Sequence, residues 1–112
     1  MSETSTLPES VVRTRPKRDQ KFKALPPYHV ILHNDDDHTF DYVIHMMQRL
    51  FGHPVERGTL IAIEVHTKGR VIVDTTSKER AELKRDQIHA FGPDKHLARC
   101  KGSMSASIEP AE

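Results

Sequence analysis

The chain has 112 residues, 17 Lys and Arg against 16 Asp and Glu, a net charge of +1 and a single cysteine, Cys100. One domain fits that length, and the polar flanks reduce the foldable part to roughly 75–80 residues, where a single core is only marginally stable. The near-neutral balance gives no field that draws nucleic acid. One cysteine excludes an internal disulfide and makes no zinc site alone, and no apolar run approaches the ~18 residues of a membrane span. No apolar stretch follows the first charges as in a signal peptide, so a cytosolic protein is expected.

Residues 1–26 read as a disordered extension, poor in apolar residues and rich in Ser, Thr, Glu and Pro. Arg13, Arg15, Lys17, Arg18, Lys21 and Lys23 make its second half basic, and Pro26-Pro27 marks the domain boundary. A first strand is expected over Tyr28–His33, with Tyr28, Val30 and Leu32 on one face. Thr39 is a good N-cap for the helix that follows. Its apolar stripe is Phe40, Val43, Ile44, Met47, Leu50 and Phe51, and Gly52 ends it. Pro54 suits the first turn of a second helix that ends near His66.

Lys68-Gly69 is a turn, and the β-branched run Arg70–Thr75 reads as a second strand. Thr76-Ser77-Lys78-Glu79 fits a capping box for a third helix that reaches about Phe91, with Gly92-Pro93 as its stop. A last strand is expected around Leu97–Lys101, followed by a flexible tail over residues 102–112. The order β-α-α-β-α-β implies an α+β core over residues 27–101. Three helices would pack on one face of a small three-stranded, largely antiparallel sheet.

The most informative stretch is His33-Asn34-Asp35-Asp36-Asp37-His38, read with His66. Asn and Asp favour a strand-to-helix junction because they bond their own backbone. A turn does not need three consecutive Asp, whose mutual repulsion a bound cation would relieve. His33, Asp35, Asp37, His38 and His66 are legal zinc ligands, but their spacing matches no standard motif. No nucleophile and no Gly-rich phosphate loop stands out, so catalysis and a cofactor are not expected. An ammonium group needs only two or three acceptors, one of which can be a neutral imidazole nitrogen. Phe40 and Val43 on one side, with Ala62 and Val65 on the other, can wall an apolar hollow beside it; ordinary core packing is the alternative for these four.

Over about residues 27–100 the chain resembles the ClpS adaptor family. The matching pieces are Tyr28-His29-Val30-Ile31-Leu32-His33-Asn34-Asp35-Asp36, Phe40-Asp41-Tyr42-Val43-Ile44, Val55-Glu56-Arg57, Val65-His66 and Lys68-Gly69. The resemblance implies an adaptor that binds free protein N-termini with a bulky apolar first residue (Phe, Tyr, Trp or Leu). It would deliver them, as a monomer, to a Clp AAA+ ATPase. It assigns the α-amino group to Asn34, Asp35, Asp36 and His66. The side-chain pocket falls to His38, Phe40, Val43, Ala62, Val65 and a Leu near the last strand, matched here by Leu97. Glu79 and Lys84 fall where the family contacts the N-terminal domain of the ATPase. The chain departs from many members in having His38-Thr39-Phe40 for Thr-Pro-Met, and Ala62 for a Met four residues before the His. The alternative is a Clp-ATPase-binding modulator without N-terminal specificity.

Overall fold

The computed structural model describes residues 25–95, 97 and 102–111. The expected N-terminal extension therefore lies almost wholly outside the described residues. The elements are β1 (Tyr28–His33), α1 (Phe40–Phe51), α2 (Val55–Lys68), β2 (Arg70–Thr76), α3 (Lys78–His89) and β3 (Ala106–Pro110). The expected order β-α-α-β-α-β is the observed one. Strand order is β2-β1-β3, with β1 antiparallel to both neighbours. Among the described residues no helix is long and apolar enough to cross a membrane.

Local chemistry sets most of these boundaries. The Thr39 hydroxyl accepts from Tyr42 N–H at 3.2 Å and starts α1, and Gly52 stops it in the left-handed region at φ 69°. Pro54 is the N-cap of α2 rather than its first residue, and that helix runs past His66 to Lys68 before Gly69 turns it at φ 86°. In α3 the cap is Ser77, which accepts from Arg80 N–H, not Thr76. The helix ends at His89, short of Phe91.

One face of the sheet and the inner faces of all three helices make the core. Val30, Leu32, Val43, Met46, Met47, Ile61, Val65, Val73 and Ile88 are buried in one cluster. The helices α1 and α2 approach closely at Gly58, where an added Cβ would stand 3.3 Å from Ile44 Cα. The β1–β2 register slips between Val30 and Ile31, so β2 carries one extra residue, Val73, opposite no partner. The His53 ring donates from Nε2 to the Val73 carbonyl at 2.8 Å and satisfies the bulge. Lys84 is 8% exposed and points its ammonium at the Leu50 carbonyl, near the C-terminal end of α1, with the Phe51 ring 5.5 Å away.

The last strand differs from expectation. It is Ala106–Pro110, and the stretch Leu97–Lys101 is either outside the described residues or, at Leu97, not strand. The core thus extends into the segment expected as a tail, with Met104 only 1% exposed and packed in the main cluster. The reason is spacing. The connection after α3 is long, and its described parts are tied down by side chains before the chain re-enters the sheet. Short apolar runs do not reveal which of two candidates will pair. Met104→Ala should therefore cost about 2–5 kcal/mol in urea unfolding, as large-to-small core changes do. A cost within ~0.5 kcal/mol, usual for exposed positions, would return that segment to a tail.

Candidate functional site

Antiparallel pairing of His33 with Arg70 brings the end of β1 beside the start of β2. Gly69 stands between α2 and β2, so the same pairing places Asn34 at the end of α2. Asn34 N–H donates to the Gly69 carbonyl at 2.9 Å. Its side-chain Oδ1 is buried and accepts no hydrogen bond from the described residues. A buried acceptor left in that state costs roughly 1–3 kcal/mol. Asp35 Oδ1 accepts from Asp37 N–H at 2.8 Å, which folds the acidic turn on itself. The Asp36 side chain is on the exposed side of this turn.

His66 sits three residues before Gly69. Its Nδ1 donates to the Ala62 carbonyl one turn back, at 2.8 Å. That bond fixes the neutral ring as the Nδ1–H tautomer and leaves Nε2 with a lone pair. Helices α1 and α2 run antiparallel from their close approach at Ile44 and Gly58, which puts the start of α1 opposite the end of α2. Side chains on a helix lean toward its N-terminus, so Phe40 reaches out to His66. The two ring centroids are 4.5 Å apart with planes at 47°.

The expected pocket residues divide. Val43, Ala62 and Val65 are fully buried in the core cluster, while Phe40 is 42% exposed. None of these three has exposed surface. The His38 ring is buried as well, at 4% exposed. Its Nε2 donates to the Gly102 carbonyl at 2.8 Å, its Nδ1 lies 3.6 Å from Asp35 Oδ1, and its ring is 4.5 Å from that of Tyr42. Leu97 is half-buried with its N–H on the Asp94 carbonyl. The residue that enters the cluster just before β3 is Met104, because the strand begins later than expected. Of the two docking candidates, Glu79 is exposed in the first turn of α3, whereas Lys84 is spent on capping α1.

Sequence reasoning missed Asp94. It is 2% exposed and accepts from Thr39 N–H through Oδ2 at 2.6 Å, a second cap on α1 from a distant segment. Nothing in Gly92-Pro93-Asp94 beyond a helix stop announces that role. It missed Tyr42 too, whose hydroxyl donates to the Gly92 carbonyl at 2.6 Å. These ties form one wall of a groove of about 580 Å³ on the other flank of α1, with Tyr42, His45, Arg49, Phe91 and Lys95 among its lining. None of the expected amine or pocket residues lines it, and the chemistry described above lies elsewhere. Among the described residues no three His, Cys, Asp or Glu are grouped to hold a metal ion.

Among the described residues the arrangement offers a buried amide oxygen, the Asp35 carboxylate and the Nε2 of His66 as acceptors for a small cationic donor. Comparison with known proteins bears on this directly. Residues 23–98 match the family model described as ATP-dependent Clp protease adaptor protein ClpS. A ClpS adapter protein of Desulforapulum autotrophicum is 34% identical over 90 residues, covering 80% of this chain and 81% of that protein. One from Vibrio cholerae is 39% identical over 74 residues, covering 64% of this chain and 70% of that protein. Among solved structures, Agrobacterium tumefaciens ClpS2 bound to L-phenylalaninamide superposes with a TM-score of 0.65. It has 22% identity and covers 76% of this chain and 96% of that one, which shows a shared fold. The chain belongs to the ClpS family of ATP-dependent Clp protease adaptors, proteins that serve a protease without being enzymes.

Proposed function

We propose that this adaptor binds free protein N-termini whose first residue is bulky and apolar, and hands those proteins to a Clp AAA+ ATPase in the cytoplasm. The observation that carries the reading is the buried Asn34 Oδ1, which has no donor among the described residues, on a residue whose backbone N–H is bonded to Gly69, three residues after His66. An α-ammonium group supplies three donors and one positive charge. It would satisfy Asn34 Oδ1 and His66 Nε2, with Asp35 and Asp36 neutralising the charge. The L-phenylalaninamide held by the Agrobacterium relative is a free α-amine carrying a large apolar side chain, the same pairing of features. Delivery needs no chemical step; tethering a substrate to the protease raises its effective concentration there.

The first side chain, Phe, Tyr, Trp or Leu, goes against Val43, Ala62 and Val65. Since these are sealed, entry requires a wall to move. Phe40 opens the first turn of α1, is the most exposed of the set and has two side-chain torsions to spend. Full burial of such a side chain is worth about 1.5–3 kcal/mol. The N-terminal domain of the ATPase docks on the face carrying Glu79. The sealed state of the three apolar residues is also what favours the second reading, a Clp-ATPase-binding modulator without N-terminal specificity.

Fluorescence anisotropy of a labelled peptide beginning with Phe, beside its N-acetylated twin, separates the two. The free form should bind with a Kd on the order of micromolar and the acetylated form should not. Equal behaviour of the two forms would leave the modulator. Asp35→Ala and Asp36→Ala should each weaken the free peptide by more than ~1 kcal/mol, since a charge-assisted hydrogen bond is lost.

A further inference from the structure

We propose that Asp94 is a positioning residue of the side-chain pocket, holding the backbone at the start of α1 so that only the ring of Phe40 moves when the pocket opens. This inference rests on the reading of Phe40, Val43, Ala62 and Val65 as the pocket for the first side chain. Asp94 is 2% exposed and lies on the segment between α3 and β3, 55 residues from Thr39. Its Oδ2 accepts from Thr39 N–H at 2.6 Å, on the residue directly before Phe40. A carboxylate at that end of a helix is also favoured by the helix dipole.

The described residues around Asp94 make it a firm anchor. Gly92 N–H donates to Ser103 Oγ at 2.6 Å, and Leu97 N–H donates to the Asp94 carbonyl at 3.3 Å. The same segment receives the Tyr42 hydroxyl on the Gly92 carbonyl at 2.6 Å and His38 Nε2 on the Gly102 carbonyl at 2.8 Å. Residues 38, 39 and 42 are thus tied to one segment. The Phe40 ring is turned to α2 instead, 42% exposed and 4.5 Å from the His66 ring.

With the backbone fixed on both sides, the Phe40 ring moves between staggered rotamers, and the opening over Val43, Ala62 and Val65 has a set size. Release of Thr39 N–H lets the first turn of α1 shift as well, and the opening widens. Asp94 then limits the size of the first side chain without touching it. A purely structural cap has a different signature. Its loss lowers Tm, but in the folded chain it leaves the relative affinities for different side chains alone.

The experiment is calorimetric binding of L-leucinamide, L-phenylalaninamide and L-tryptophanamide to the full chain and to Asp94→Ala and Asp94→Asn. In Asp94→Ala the largest side chain should gain on the smallest, with the tryptophanamide-to-leucinamide affinity ratio rising by up to about tenfold, the size of one hydrogen bond to a charged group. Asp94→Asn keeps an acceptor oxygen for Thr39 N–H and should hold the ranking of the unaltered chain. An unchanged ranking in Asp94→Ala, or a shift in Asp94→Asn as large as that in Asp94→Ala, overturns the proposal.

NMR of the ligand-free chains provides an independent arm. In the unaltered chain the Thr39 amide should exchange with solvent as slowly as amides inside α1, and the Phe40 and His66 rings should show cross-peaks. Those cross-peaks should fade in Asp94→Ala and persist in Asp94→Asn. A Thr39 amide that exchanges as fast as an exposed one overturns the tie even where Asp94→Ala does not fold. Should the unaltered chain bind none of the three amides, the pocket reading itself fails, and the ring cross-peaks still report whether Asp94 holds Phe40.

Discussion

The hydrogen bond from Asn34 N–H to the Gly69 carbonyl is the constraint on which the site depends. It exists because α2 turns straight into β2 with no intervening loop. Gly69 makes that turn at φ 86°, in the left-handed region that a side chain makes costly, and its N–H closes the helix on the Val65 carbonyl. An added Cβ there would meet nothing within 4 Å, so the requirement is on the backbone and not on space. Once β2 starts at Arg70, antiparallel pairing fixes the end of β1, and Asn34 follows it against Gly69, three residues after His66.

Polar side chains hold the rest of the frame by finishing backbone ends. His53 serves the Val73 carbonyl at the bulge, His89 accepts from Ala106 N–H at 3.0 Å at the start of β3, and Lys84 takes the Leu50 carbonyl. His29 and His33 bond Thr75 Oγ1 and Ser107 Oγ across the sheet. A chain with eight histidines invites a metal reading. Among the described residues the rings of His29, His33, His38, His53, His66 and His89 are spread over separate backbone and hydroxyl partners, and no three His, Cys, Asp or Glu are grouped to hold a metal ion. The outer edge of β3 gains from the same habit. Ala106 N–H is occupied by His89 and Pro110 has no N–H, so little remains for another strand to pair with.

Elements with a local cause were legible in the sequence. Thr39, Gly52 and Gly69 cap helices by rules that involve only neighbours, and β1, α1 and β2 follow hydrophobic periods that a single sequence carries. Asn34 and His66 stood out for chemistry more than for period. What was not legible depends on partners far along the chain. The position of β3, the burial of Met104, the inward turn of His38 and the cap from Asp94 all follow from where the α3–β3 segment returns, and the inward turn of Lys84 from the packing of α3 beside the end of α1. A lysine at helical spacing on a polar helix reads as a surface charge. Only the closeness of the α1 C-terminus makes it an internal donor.

The exchange of side-chain volume at the pocket also has a geometric answer. A Met-to-Ala reduction at residue 62 beside a larger residue at 40 suggests that one refills what the other vacates. The ring of Phe40 is not in the core, however; it lies against His66 with much of its surface in solvent. Ala62 is sealed by its own cluster, and its carbonyl is taken by His66 Nδ1. The aromatic ring instead borders the imidazole expected to meet the amine. On the proposed reading, any opening at Val43, Ala62 and Val65 that displaces Phe40 also changes the surroundings of His66.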